Sequence, residues 1–171
     1  MNENTMRMPR IAKVVVNIGV GEGGEKLIKA EKVLRLLTDR KPIRTLAKVT
    51  NKEWNLKPGM PIGCKVTLRG SDAIKFLKNA LWVRDNKIPR DSFDNYGNFS
   101  FGIPDYTDFP EMKYDPGIGI FGMDVNVRLA RAGERVATRK RARAKIPKKH
   151  RVTAAEAMEY IKSNFGVEII E

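Results

Sequence analysis

The chain has one cysteine and one histidine in 171 residues, Cys64 and His150. An internal disulfide is excluded, and so is a zinc cluster of the usual His and Cys ligands. No apolar run approaches the ~20 residues of a membrane-spanning helix, so no membrane partner is expected. The first ten residues, Met-Asn-Glu-Asn-Thr-Met-Arg-Met-Pro-Arg, lack the apolar centre of a signal peptide. Acidic residues are scarce in one place: residues 128–151 hold eleven Lys or Arg against Glu134 alone, a local charge of +10 out of a total of +13. Elsewhere bases and acids nearly balance. Such a block repels itself until something anionic neutralises it.

What is present suits a folded protein. Hydrophobic residues make up 42% of the chain, and a chain of this length buries roughly 70% of its extended surface. One domain spanning residues 1–171 is expected, with 1–9 a flexible lead-in and 131–151 a basic extension.

Pro61 to Gly70 gives the clearest strand. Ile62, Cys64, Val66 and Leu68 alternate with Gly63, Lys65, Thr67 and Arg69, the period-2 pattern of a half-buried strand. The second set carries two cations and a hydroxyl and no acid, a surface suited to phosphates. Cys64 falls on the apolar side, as a buried thiol. Ile11–Ile18 reads as a first strand, with Asn17 on the same side as Lys13 and Val15. Leu27, Ala30, Val33, Leu34 and Leu37 repeat at helical spacing over 25–38, and Pro42 stops that helix. A second strand is expected over 43–49, carrying Lys48. A further helix is expected over 72–83, capped by Ser71, with Ile74, Leu77, Ala80 and Leu81 inward. Residues 84–98 read as loop, and strands are expected near 98–102 and 118–129. Thr153 and Glu156 form a capping box opening a helix to about residue 164, with a terminal strand over 167–170. The fold class expected is α+β: a mostly antiparallel sheet with helices packed on one face and the other face open to RNA.

Three functional classes compete. Gly19-Val20-Gly21-Glu22-Gly23-Gly24 satisfies G-x-G-x-x-G between a strand and a helix, which taken alone is a dinucleotide-binding fingerprint and would make the chain an enzyme. The detail argues against it: Asp39 precedes the next strand rather than ending it, and Glu22 and Glu25 would face a pyrophosphate. No nucleophile–base pair is evident, and His150, embedded among Lys148, Lys149 and Arg151, reads as a phosphate contact. Asp105, Asp108 and Glu111 read as ordinary loop carboxylates, so no metal and no cofactor is expected. A generic basic RNA chaperone is the second class. The third, favoured by the residues, is a specific RNA-binding structural protein. Its candidate contacts are Asn17, Arg40, Lys41, Lys48, Lys65, Thr67 and Arg69 on or beside the sheet. To these are added Lys52, Trp54, Asn55 and Lys57 on a long loop at 50–60, where the tryptophan can stack on a base. The basic extension offers Arg139, Lys140, Arg141, Arg143, Lys145, Lys148 and Lys149.

Several stretches carry a resemblance. Val-Val-Asn-Ile-Gly-Val-Gly-Glu at 15–22, Lys41-Pro42, the ten residues at 61–70, Phe-Asp-Asn-Tyr-Gly-Asn-Phe-Ser-Phe-Gly-Ile at 93–103 and Phe-Pro-Glu-Met-Lys-Tyr-Asp at 109–115 resemble the L-five family of large-subunit ribosomal proteins. Lys-His-Arg-Val-Thr-Ala-Ala-Glu-Ala-Met at 149–158 is similar to its archaeal and eukaryotic branch. The resemblance implies a non-catalytic component of the cytoplasmic ribosome. It implies 5S ribosomal RNA as the main partner, held partly through the open sheet face, with Asn17, Arg40 and Thr67 facing RNA. Many family members have Gln where Arg40 stands. The resemblance further implies contact with 23S ribosomal RNA, contact of the 50–60 loop with transfer RNA in the peptidyl site, and a bridge to a small-subunit head protein.

Overall fold

The structure is a computed structural model describing residues 4, 6–110 and 112–170. Most of the expected lead-in lies outside these residues or in the turn at 6–8. In chain order the elements are β1 (Arg10–Gly19), α1 (Glu25–Thr38), β2 (Ile43–Leu46), β3 (Pro61–Leu68), α2 (Gly70–Val83), β4 (Lys87–Pro89), β5 (Phe99–Ile103), β6 (Met123–Ala130), α3 (Arg135–Thr138), α4 (Ala154–Phe165) and β7 (Glu168–Ile170). Five strands form one sheet in the order β2-β3-β1-β6-β5, and every neighbouring pair is antiparallel.

The core lies on one side of that sheet. Val14, Val16 and Ile18 of β1, Cys64, Val66 and Leu68 of β3, and Val125 and Val127 of β6 meet Leu27, Val33 and Leu34 of α1 and Phe76, Leu77 and Leu81 of α2. Each fully buried side chain of this size contributes about 1.5–3 kcal/mol of transfer free energy, so the β-branched alternation of β1 and β3 fixes which face turns inward. A one-residue slip would expose the whole set. Arg44 on β2 bonds Glu31 of α1 and ties the edge strand to the helix layer. Burial pushes the Cys64 thiol up to about 11, and the neighbouring Glu31 adds to the shift against Arg44.

Several expectations need correcting. β2 ends at Leu46 rather than residue 49, where its register with β3 shifts after Thr45; Lys48 therefore lies outside the strand. The second helix begins at Gly70, with Arg69 in the capping position and no side-chain cap, so Ser71 is not the cap. Gly70 takes φ 61, which lets the chain turn directly from strand to helix. Its buried stripe is Ala73, Phe76, Leu77, Ala80 and Leu81, and Ile74 is 41% exposed. The strand expected from residue 118 begins at Met123, because Gly119 at φ 87 closes a turn just before it. Residues 84–98 are not all loop: β4 pairs in parallel with β7, Ile88 opposite Ile169. The capping box is present, with the Thr153 side chain accepting from the Glu156 amide and Glu156 accepting from the Thr153 amide.

Candidate nucleic-acid interface

The strand register places one row of side chains after another on the face away from the helices. Lys65 sits opposite Asn17 on one side and Ile43 on the other. Thr67 sits opposite Val15, Asn17 opposite Asp124, Val15 opposite Asn126, and Lys13 opposite Arg128. Ser100 of β5 closes a row beside Asn126. Lys65, Thr67, Ser100, Asp124 and Asn126 are exposed, while Asn17 on the central strand is half-buried by its neighbours. Asn17, Lys65, Thr67 and Arg69 have no side-chain partner among the described residues. This surface therefore offers amide, ammonium, hydroxyl and guanidinium groups whose hydrogen-bonding capacity water alone satisfies.

The face is not uniformly cationic. Asp124 stands beside Asn17 and puts a carboxylate among the cations Lys65, Lys13 and Arg128 of this face. Asp124, Asn126 and Ser100 were absent from the sequence-based candidates. The signal for them was the alternation of Asp124, Asn126 and Arg128 with Val125, Val127 and Leu129.

Arg40 and Lys41 enter the sheet at the end where Thr67 and Arg69 leave it, since Ile43 is opposite Lys65. Arg40 is not free: its Nη2 donates to Asp72 at 2.5 Å, and this bond, with the guanidinium charge, holds the Asp72 carboxyl below its usual range. Lys48 is exposed at the other end of the sheet. It follows Ala47, whose amide donates to the Met60 carbonyl and whose carbonyl accepts from Gly59.

The 50–60 loop is a built hairpin tip. Asn51 and Leu56 exchange backbone bonds of 3.0 and 2.8 Å, and the Asn51 side chain accepts from the amides of Glu53 and Trp54. Asn55 takes the left-handed position at φ 51, so it shapes the turn itself. Trp54 is 71% exposed at the apex, with Lys52 and Lys57 exposed on either side.

The basic extension folds back on itself. Arg131 donates to Glu156 at 2.5 Å, and Arg128 pairs with Glu134. Arg139 donates to the Ala142 carbonyl at 2.8 Å and Arg143 to the Ala137 carbonyl at 2.6 Å. Lys140, Arg141, Lys145, Lys148 and Lys149 are exposed without side-chain partners among the described residues. His150 has a structural contact as well: its Nε2 lies 2.8 Å from the Ala132 carbonyl and closes the neck of the segment.

The glycine-rich loop does not form a dinucleotide cradle. Both neighbours of β1 are antiparallel, whereas that motif needs a parallel strand beside it to open the crevice. Asp105 caps a 3-10 turn through the Thr107 amide, and Glu111 lies outside the described residues. No helix among the described residues is long and apolar enough to cross a membrane.

Residues 61–160 match the family model for the C-terminus of the ribosomal L5 family, and residues 4–57 match that of ribosomal protein L5. The chain belongs to the ribosomal protein L5 family. It is 51% identical over 166 residues to the large ribosomal subunit protein uL5 of Methanosphaera stadtmanae, covering 97% of this chain and 99% of that one. Against the uL5 proteins of Thermoplasma volcanium and Sulfurisphaera tokodaii the identities are 52% and 53%, covering 98% of this chain in both cases and 99% and 96% of theirs. Family membership makes the chain a structural ribosomal protein of the large subunit rather than an enzyme.

Proposed function

We propose that the chain holds 5S ribosomal RNA against its open sheet face and helps attach it to 23S ribosomal RNA in the central protuberance of the cytoplasmic ribosome. The observation carrying this reading is the outward row of Lys65 and Thr67, continued by Arg69, on a strand whose other face is locked in the core. A strand held on both sides fixes the backbone from which these donors project, so side-chain ordering rather than backbone ordering opposes binding. Asn17, Arg40 and Lys41 extend the contact around that end of the sheet, and Lys48 extends it toward the loop. The hairpin tip, with Trp54 between Lys52 and Lys57 and turned by Asn55, reaches transfer RNA in the peptidyl site, where the indole stacks on an unpaired base or ribose. The partner-free cations of the basic extension neutralise ribosomal RNA phosphates, with Arg139 and Arg143 adding what their internal bonds leave over. A bridge to a small-subunit head protein completes the partner set. The chain acts as one unit of 171 residues.

A gel-shift with purified 5S RNA against an unrelated RNA of equal length tests this. Preferential binding of 5S RNA, weakened in Lys65→Gln, is expected. Equal binding of both RNAs would overturn the reading and favour a generic basic RNA chaperone.

A further inference from the structure

A cavity of about 610 Å³ lies between the basic extension and the turn before β5, bounded by the end of β6, residues 143–146, residues 150–152, Tyr96 and Asn98. That volume is in the range of sites for nucleotide-sized ligands. Its charges are unbalanced. Glu134 in the wall is already paired with Arg128, and Arg131 is paired with Glu156. Arg143, Lys145 and Arg151 line the same space with no carboxylate partner among the described residues. Arg151 lies over the Tyr96 ring, its Cζ 5.2 Å from the centroid, and Tyr96 is still 55% exposed.

The aromatic is rigidly presented. Asp94 Oδ1 accepts from the amides of Tyr96 at 2.8 Å and Asn98 at 2.7 Å, and Asp94 Oδ2 accepts from the Asn98 side chain at 2.7 Å. Gly97, at φ 72, packs so closely on the start of α4 and the residues leading into it that an added Cβ would lie 2.8 Å from Val152 and 3.1 Å from Ala157. An aromatic platform beside uncompensated cations is the chemistry that takes an unpaired base with its phosphate.

We propose that this cavity receives one unpaired nucleotide of ribosomal RNA, its base stacked on the Tyr96–Arg151 pair and its phosphate beside Arg143 and Lys145. The site rests on the RNA-binding reading above but uses none of the sheet-face residues.

The test uses the full chain and a fluorescent oligouridylate of about six nucleotides, within the site sizes of single-strand binders, read by anisotropy at fixed salt. Tyr96→Ala weakens binding roughly five- to hundredfold, from the stacking of one base. Tyr96→Phe keeps it, and Lys145→Gln lowers the salt slope by about 0.7. Unchanged binding in Tyr96→Ala, or no binding by the unaltered chain, overturns the proposal. Uridine monophosphate displacing the oligomer at equal concentration would assign the cavity to a free nucleotide. A glutamate-rich peptide doing so would assign it to an acidic protein partner, and either result overturns the RNA assignment. Lys65→Gln separates the two readings: it weakens 5S RNA binding and leaves the oligouridylate unaffected. Failure of the first half counts against the sheet face, and failure of Tyr96→Ala counts against the cavity.

Discussion

On the sheet, Lys65 and Thr67 stand on a strand paired on both sides, and their polar ends have no hydrogen-bond or ion-pair partner among the described residues. In the segment from 131 to 151, Arg131, Arg139 and Arg143 turn back onto Glu156 and onto carbonyls of their own loop. The two regions carry the same sign of charge and use it differently. The sheet gets its shape from burial on its far face, so its cations are free to recognise a partner. The extension has only α3 and a 3-10 turn as regular structure, and none of its residues joins the main core cluster. Part of its charge must therefore satisfy backbone carbonyls that no helix or strand covers. Counting charges overstates what the extension can offer RNA and understates the sheet.

Reversing one sheet cation gives the largest expected change. Lys65→Glu weakens 5S RNA binding by about 1.5–3 kcal/mol, the range for a hydrogen bond to a charged group, with an unchanged melting curve. A filter-binding titration checks it, and a smaller loss than from Lys140→Glu would reverse the ranking of the two regions. Within the extension, engaged and free cations separate. Arg131→Met lowers stability by about 1 kcal/mol, after allowing for the exposure of Glu156. Lys140→Gln and Arg141→Gln leave stability within about 0.5 kcal/mol and each lowers the log–log salt slope of RNA binding by ~0.7–0.9. Denaturant melts and a salt series read both. Thr67→Val keeps the strand and removes one hydroxyl, so it weakens RNA binding by about 1 kcal/mol.

Freeing Arg40 gives the smallest effect. The Asp72 carboxyl is lowered by its bond to Arg40, so the clasp is present above the ordinary carboxylate range and is lost as pH falls through the depressed value. Asp72→Asn at neutral pH mimics that release and raises RNA affinity by less than about threefold, as expected of an exposed pair.

Much of this was legible in the sequence. The helix at 25–38 sits between glycines and a proline with its apolar residues at helical spacing, and the structure places it at the same residues. The alternation in 61–68 fixed the inward face of β3, and Thr153 with Glu156 marked the start of α4. What was missed depends on distant partners. β4 is three residues long and becomes a strand only through parallel pairing with β7. Ile74 has the right type for a core residue, but Phe76 and Ala73 set the helix rotation. His150 lies among cations in the sequence, yet the carbonyl it meets belongs to Ala132 across the neck of the extension. Which arginines stay free is likewise a question of folded geometry.

Lysine acetylation footprinting on the 5S RNA complex addresses the sheet face most directly. Lys65 on the open face and Lys75 and Lys78 on α2 are all exposed in the free chain. Bound RNA is expected to protect Lys65 and leave Lys75 and Lys78 as reactive as before. Protection of the α2 lysines with Lys65 unprotected would mean that RNA docks on the helical side, which contradicts recognition through the open sheet.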